Sequence, residues 1–111
     1  MKPELQRIAI HEALGWQKVT QGSLHYAWKR GDEFHYVAFT PDYLNSLDAM
    51  HEAEKVLLSK EGNDPVYDFP WGFRYAVELS KLGLAGEVAK LHATAAQRAE
   101  AFLRTLNLWQ E

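Results

Sequence analysis

The sequence contains no cysteine. It therefore forms no disulfide, holds no thiolate-bound zinc or iron–sulfur cluster and has no cysteine nucleophile. It also lacks an apolar run of 18 or more residues, which excludes a membrane-spanning helix. Basic residues are fewer than acidic ones, 12 against 15, whereas proteins that bind duplex nucleic acid usually have a basic excess. The first ten residues do not resemble a signal peptide. Together these features predict a cytoplasmic protein that binds neither membranes nor duplex nucleic acid.

The chain is short but rich in aromatic residues. Its 111 residues suffice for one domain with one core, so residues 1–111 are expected to form a single domain. Aromatic side chains make up 13% of the sequence. Two interpretations follow: a small core built from large side chains, or a surface on which a planar ligand stacks.

A hairpin is predicted around Gly31 and Asp32, a two-residue turn between strands over residues 24–30 and 33–40. This turn pairs Arg30 with Glu33 and Trp28 with His35. A shorter strand is expected over residues 16–20. Both faces of the hairpin carry bulky apolar side chains, which predicts helices on both faces, or helices on one face and a partner or ligand on the other.

Clear helices are predicted over residues 3–14, over 45–59 with Asn45 as the N-cap, and from Thr94 onward. The last begins with a capping box formed by Thr94 and Gln97. Residues 69–82 show no single clear pattern, although a helix that begins at Pro70 fits the spacing of Trp71, Tyr75, Leu79 and Leu82. Residues 66–69 are expected to form a short strand, and residues 87–92 a weak strand or helix. The predicted class is α+β, an α/β sandwich with a mainly antiparallel sheet of three to five strands covered by helices.

No cofactor, metal or catalytic site is predicted. His11 and His51 are each followed by glutamate, as in a zinc-binding helix, but Gly15 and Lys55 stand where a second histidine would be required. The serines do not lie in a nucleophile elbow, and the glycines are scattered singly. An acid–base pair of His51 with Glu52 or Glu54 is a weaker alternative to a solvated helix face, since adjacent residues on a helix point apart.

The most unusual segment has aromatic residues at five alternate positions: Tyr67, Phe69, Trp71, Phe73 and Tyr75. Rings offer flat faces to a planar ligand, and the interleaved Arg74 is suited to hold a phosphate. The alternative is that the rings cover the sheet or form a dimer seam.

Polar residues near two predicted helix N-termini form a second candidate set, because free amides there bind anions. Tyr43 belongs to this set, and His51 and Arg98 have no capping role of their own. The predicted ligand-binding residues are therefore Tyr43, His51, Tyr67, Trp71, Arg74, Tyr75 and Arg98.

Three segments carry a family resemblance: residues 41–55, PDYLNSLDAMHEAEK; residues 93–106, ATAAQRAEAFLRTL; and residues 13–16, ALGW. Together they resemble the phage ABA-sandwich domain of small phage and prophage proteins. The resemblance implies a sheet between helical layers, a phage or prophage origin and a place in the bacterial host cytoplasm. It implies no particular activity, because fold and function are separate questions.

The expected function is that of a small non-catalytic binding protein. Its most concrete form is a homo-oligomeric anti-defence protein, a sponge that sequesters a nucleotide-type immune signal. A protein–protein inhibitor or adaptor that acts on a host factor is the first alternative. A small hydrolase of such a signal, which uses His51 and Glu54, is the second.

Overall fold

The protein has the predicted α+β class, with four helices and a three-stranded antiparallel sheet in the part that is described. The structure is a computed structural model, and it describes residues 1–21, 25–83 and 92–111. The elements are α1 (Pro3–Ala13), β1 (Gln17–Gln21), β2 (His25–Arg30), β3 (Glu33–Tyr36), a 3-10 turn (Val37–Phe39), α2 (Leu47–Leu58), α3 (Trp71–Lys81) and α4 (Ala95–Thr105).

The hairpin has the predicted register, with Arg30 opposite Glu33 and Trp28 opposite His35. The third strand, however, ends at Tyr36 rather than at Thr40. The Thr40 amide and hydroxyl both donate to the Val37 carbonyl, at 3.0 and 2.6 Å, and close a 3-10 turn. The Thr40 hydroxyl also accepts a hydrogen bond from the Trp28 indole at 2.7 Å. These bonds turn the chain away from the sheet.

The two faces of the sheet differ. On one face, Trp28 is completely buried and contacts the ring of His11 on α1. On the other face, Phe34 and Tyr36 remain 51% and 59% exposed. Within the described ranges, helices therefore do not cover the face that carries Phe34 and Tyr36, and the alternative, a partner or ligand on that face, stays a prediction.

The helices form the main core. Its most deeply buried large side chains, Ile10, Met50, Leu57, Phe102 and Leu103, lie on α1, α2 and α4, and Tyr75 and Leu79 of α3 also belong to it. The predicted capping box at Thr94 and Gln97 is present. The N-cap of α2 is Ser46, which accepts from the Ala49 amide, and not Asn45 as predicted. Among the described residues, no helix is both long and apolar enough to cross a bilayer.

Two predictions about the middle of the chain have different outcomes. Residues 66–69 do not form a strand; the chain turns there, and Asn63 and Pro70 form an isolated bridge on either side. The predicted element over residues 87–92 lies outside the described residues except at His92.

Candidate functional site

The alternating aromatic run does not form one continuous surface, because α3 begins at Trp71. Within the helix, Trp71 and Tyr75 are four residues apart and both pack towards the core, whereas Phe73 points outward and is 66% exposed. Before the helix, the Tyr67 and Phe69 rings stack with centres 5.3 Å apart, and the Phe69 ring meets Phe73 edge-on at 6.3 Å. Three rings, Tyr67, Phe69 and Phe73, thus form a row, which we call the aromatic row.

Asp64 holds the turn that carries the first of these rings. Its buried carboxylate accepts backbone N–H bonds from Val66 at 3.0 Å, Tyr67 at 2.8 Å and Phe69 at 3.4 Å. Burial alone would raise the pKa of Asp64, but these N–H groups and the positive charge of Arg74 hold that pKa below its usual value of 3.8. The turn replaces the predicted strand because this carboxylate takes up the amides that a strand would pair.

Arg74 is buried next to this turn, and its donors are already used. Its guanidinium contacts Asp64 at 3.4 Å and Glu78 at 2.9 Å, and donates to the Arg104 carbonyl at 3.4 Å. It also lies 4.9 Å from the centre of the Tyr67 ring. Arg74 is thus a fixed, charge-balanced group rather than the open phosphate-binding arm that the sequence predicted.

A cleft of about 290 Å³ opens beside Arg74, and we call it the α3–α4 cleft. Its lining residues are Arg74, Glu78, Lys81, Arg104, Asn107 and Trp109. Glu78 is the one carboxylate among them, against three cations. Asn107 adopts the left-handed backbone conformation that the sequence predicted for a helix end, with φ of 59°.

Two of these cations lie at the solvent side of the cleft. Lys81 is about half exposed and reaches Glu78 at 3.2 Å and the Tyr67 hydroxyl at 3.4 Å; the bond to Glu78 is the main reason that the pKa of Lys81 is raised. Arg104 pairs with Glu100 at 2.9 Å, as the sequence predicted, and covers the Trp109 ring at 4.9 Å. Both cations are exposed enough to turn towards a ligand.

Tyr75 and Arg98 meet elsewhere, in the interior. Arg98 donates to both oxygens of Glu54, at 3.2 and 3.1 Å, and to the Ala93 carbonyl at 3.3 Å. Burial raises the pKa of Tyr75, and the negative charge of Glu54 raises it further. Arg98 therefore has a structural bond that the sequence did not reveal, and Glu54 is engaged with it rather than with His51.

The remaining predicted residues are dispersed. Trp71 packs at the start of α3, where Lys60 lies 5.2 Å from its ring centre. His51 is exposed on α2. Tyr43 is buried beside α1 and contacts His11. Of the seven predicted ligand-binding residues, only Tyr67 and Arg74 are found together beside the α3–α4 cleft.

The sequence did not anticipate a cluster at the contact between α1 and the sheet. The Nδ1 atom of His11 lies 2.6 Å from the Tyr43 hydroxyl, and its Nε2 lies 3.0 Å from Nε2 of His35. We call His11, His35 and Tyr43 the histidine junction. One sign of this cluster was available in the sequence: the predicted hairpin register places His35 opposite Trp28, so a histidine was expected on the same face of the sheet as a large apolar ring. In the described ranges, no three histidine, aspartate or glutamate side chains are grouped to hold a metal ion.

Comparisons of the chain with models of known families, with curated proteins and with solved structures found no match.

Proposed function

We propose that the chain is a non-catalytic binding protein that takes a small anionic ligand with a planar ring into the α3–α4 cleft. The observation that carries this proposal is the composition of the cleft, in which three cations and one carboxylate surround a space beside Trp109. Cations attract phosphate, and an indole face is a stacking surface for a base.

The division of roles follows from the contacts of each cation. Arg74 is held by Asp64 and Glu78, which balance its charge, so it forms a fixed part of the cleft wall and leaves ligand binding to the other two cations. Lys81 pairs with the buried Glu78, and Arg104 pairs with the partly buried Glu100 and, at 3.7 Å, with the exposed Glu111. A ligand phosphate would compete with these carboxylates for the two cations. A ligand ring would replace the Arg104 guanidinium on Trp109, and the freed guanidinium would turn to the phosphate.

The size of the cleft limits the ligand. The cleft of about 290 Å³ lies just below the range of about 300–1,000 Å³ that is usual for small-molecule sites, so we expect it to take a small ligand or one ring-bearing part of a larger nucleotide. In its most specific form, our proposal is a phage or prophage protein that sequesters a nucleotide immune signal as a homo-oligomer. This form depends on the family resemblance of residues 41–55 and 93–106.

Titration calorimetry with cyclic dinucleotides, cyclic ADP-ribose species and mononucleotides tests the proposal. We expect at least one to bind, and Lys81→Gln and Arg104→Gln each to weaken binding about tenfold, the loss of roughly one charged contact of 1.4 kcal/mol. Lys55→Gln is the matched control, because Lys55 pairs with Glu52 on the exposed side of α2. Absence of binding by every ligand, or an equal loss with Lys55→Gln, would refute the cleft as the site.

The aromatic row supports a second candidate, a protein–protein inhibitor or adaptor. Phe73 is largely exposed and Tyr67 is about half exposed, although both belong to a connected set of rings. Exposed aromatic side chains often supply most of the binding energy of an interface. Phe73→Ala separates the two candidates: it should abolish capture of a host protein partner if the row is an interface, and it should leave nucleotide binding unchanged.

A further inference from the structure

The hydrogen bonds of the histidine junction determine where each proton lies when both rings are neutral. His35 has its Nδ1 3.0 Å from the Tyr36 carbonyl, which can only accept, so His35 carries its proton on Nδ1. Its Nε2 must then accept from Nε2–H of His11. The remaining nitrogen of His11, Nδ1, accepts from the Tyr43 hydroxyl. Each of the four imidazole nitrogens, and the Tyr43 hydroxyl proton, thus has a hydrogen-bond partner.

One added proton can be held only at a cost. If His35 is protonated on both nitrogens, its Nε2–H points at Nε2 of His11, and His11 must move its own proton to Nδ1. The Tyr43 hydroxyl then becomes an acceptor and loses the partner to which it donated. A second proton would leave two N–H groups facing each other across 3.0 Å, each on a cationic ring, and no arrangement of protons satisfies that contact.

The groups around the junction do not compensate such charge. His11 stacks on Trp16 and meets Trp28 edge-on, with ring centres 5.0 and 4.8 Å apart. Arg30, on β2, lies over the Trp16 ring, with its guanidinium carbon 4.5 Å from the ring centre, and it is paired with Glu33. Arg7, on α1, donates to the Thr40 carbonyl at 2.7 Å and is paired with Glu4. Within the described ranges, neither histidine forms an ion pair with a carboxylate.

Burial also favours the neutral forms of the His11 imidazole and the Tyr43 hydroxyl. Burial, then the neighbouring His35 and then Arg30 lower the pKa of His11 to about 4. Burial raises the pKa of Tyr43 to about 12, although Arg30 and Arg7 act in the opposite direction, so its hydroxyl stays protonated as the donor that the chain requires.

We propose that the histidine junction is a pH-sensitive contact that holds the sheet on α1 when both imidazoles are neutral and releases it when both are protonated. The junction has this leverage because His11 contacts rings on β2 and β3 and the ring of Trp16 just before β1. Tyr43 belongs to the helical core as well, but the two histidines do not, and the other large core side chains, Ile10, Met50, Leu57, Phe102 and Leu103, lie outside the junction. Acidification should therefore loosen the sheet before the helices unfold.

Nuclear magnetic resonance of the imidazole nitrogens tests the proton assignment directly on the full chain. At pH 7.5 we expect His11 as the Nε2–H tautomer and His35 as the Nδ1–H tautomer, with the exposed His51 as the internal reference. On acidification, the ring contacts of His11 with Trp28 should be lost while the amides of α4 remain protected from exchange. An Nδ1–H tautomer for His11 at pH 7.5, or ring contacts that persist when both imidazoles are charged, would overturn the proposal.

The variant His35→Gln isolates the second charge. Its amide oxygen can still accept from Nε2–H of His11, but it takes up no proton, so two facing N–H groups on cationic rings cannot form and release should move to lower pH. His51→Gln should leave the release pH unchanged. Release of His35→Gln at the same pH as the unsubstituted chain would contradict the mechanism; if that variant does not fold, the tautomer measurement still decides.

Discussion

Thr40 illustrates how one small side chain decides the course of the backbone. Its hydroxyl accepts from the indole of Trp28, the largest fully buried side chain among the described residues, and donates to the Val37 carbonyl. Thr40 thus satisfies a buried donor that lies 12 positions away in the sequence. A buried polar group without a partner costs about 1–3 kcal/mol, so this bond matters more for the donor that it satisfies than for its own strength.

Replacing Thr40 with valine keeps the shape and removes the acceptor. We expect Thr40→Val to lower the free energy of unfolding by about 1–3 kcal/mol, because the Trp28 N–H is then buried without a partner. Thr40→Ser keeps the hydroxyl and should cost clearly less. Urea titration measures both, and equal losses for the two variants would show that the methyl group, rather than the hydrogen bond, is what matters.

Charged side chains mark the limit of sequence-based prediction at this scale. The short-range pair Glu100–Arg104 was predictable from its four-residue spacing and is present. Arg74 and Arg98 were instead interpreted as ligand-binding groups, because their partners Asp64 and Glu54 lie 10 and 44 positions away. Spacing along the sequence does not reveal pairs between residues so far apart. The four-residue spacing of Arg74 and Glu78 was the one local sign that Arg74 is engaged in an ion pair.

At the scale of elements, the termini of helices and strands depend on competition for hydrogen bonds. Asn45 and Ser46 are both good N-caps, but the side-chain nitrogen of Asn45 donates to the two oxygens of the Asp42 carboxylate, at 3.2 and 3.1 Å, and so holds the Asn45 side chain towards Asp42. Ser46 is left as the cap of α2. The hairpin and the last helix were predictable because their turn and capping box are local, whereas the end of β3 depended on the distant Trp28.

The capping box of α4 gives a measurable prediction. Thr94 accepts from the Gln97 amide at 3.1 Å, and the Gln97 side chain accepts from the Thr94 amide at 2.9 Å. Thr94→Ala should lower the free energy of unfolding by about 1 kcal/mol, and Thr94→Ser should restore most of it. Ser80→Ala is a suitable control, since the exposed Ser80 hydroxyl donates only to a carbonyl within its own helix. Chemical denaturation of the four proteins tests this, and a loss with Ser80→Ala as large as that with Thr94→Ala would argue against the capping role.

At the scale of the whole molecule, two buried groups make the stability depend on acid in the same direction. The pKa of His11 is lowered from 6.5 to about 4 in the folded state, and that of Asp64 is held below 3.8. In both cases the unfolded chain binds a proton at a higher pH than the folded chain does. Stability is therefore fully present above about pH 6.5, falls as the pH decreases towards 4 because of His11, and falls again below 3.8 because of Asp64.

Equilibrium unfolding measured between pH 8 and pH 3 should show the two losses of stability separately: an upper window between about pH 6.5 and 4, due to His11, and a lower window below pH 3.8, due to Asp64. The slope in the upper window has a limit of about 1.4 kcal/mol per pH unit for one proton, and solvent screening reduces it. His11→Gln should flatten the upper window and keep the lower one, because only the imidazole titrates there. Asp64→Asn should do the reverse, and His51→Gln should change neither. Since each variant also changes the absolute stability, the slope with pH is the quantity to compare; an upper window that persists in His11→Gln would assign it to another histidine and remove the energetic basis of the junction.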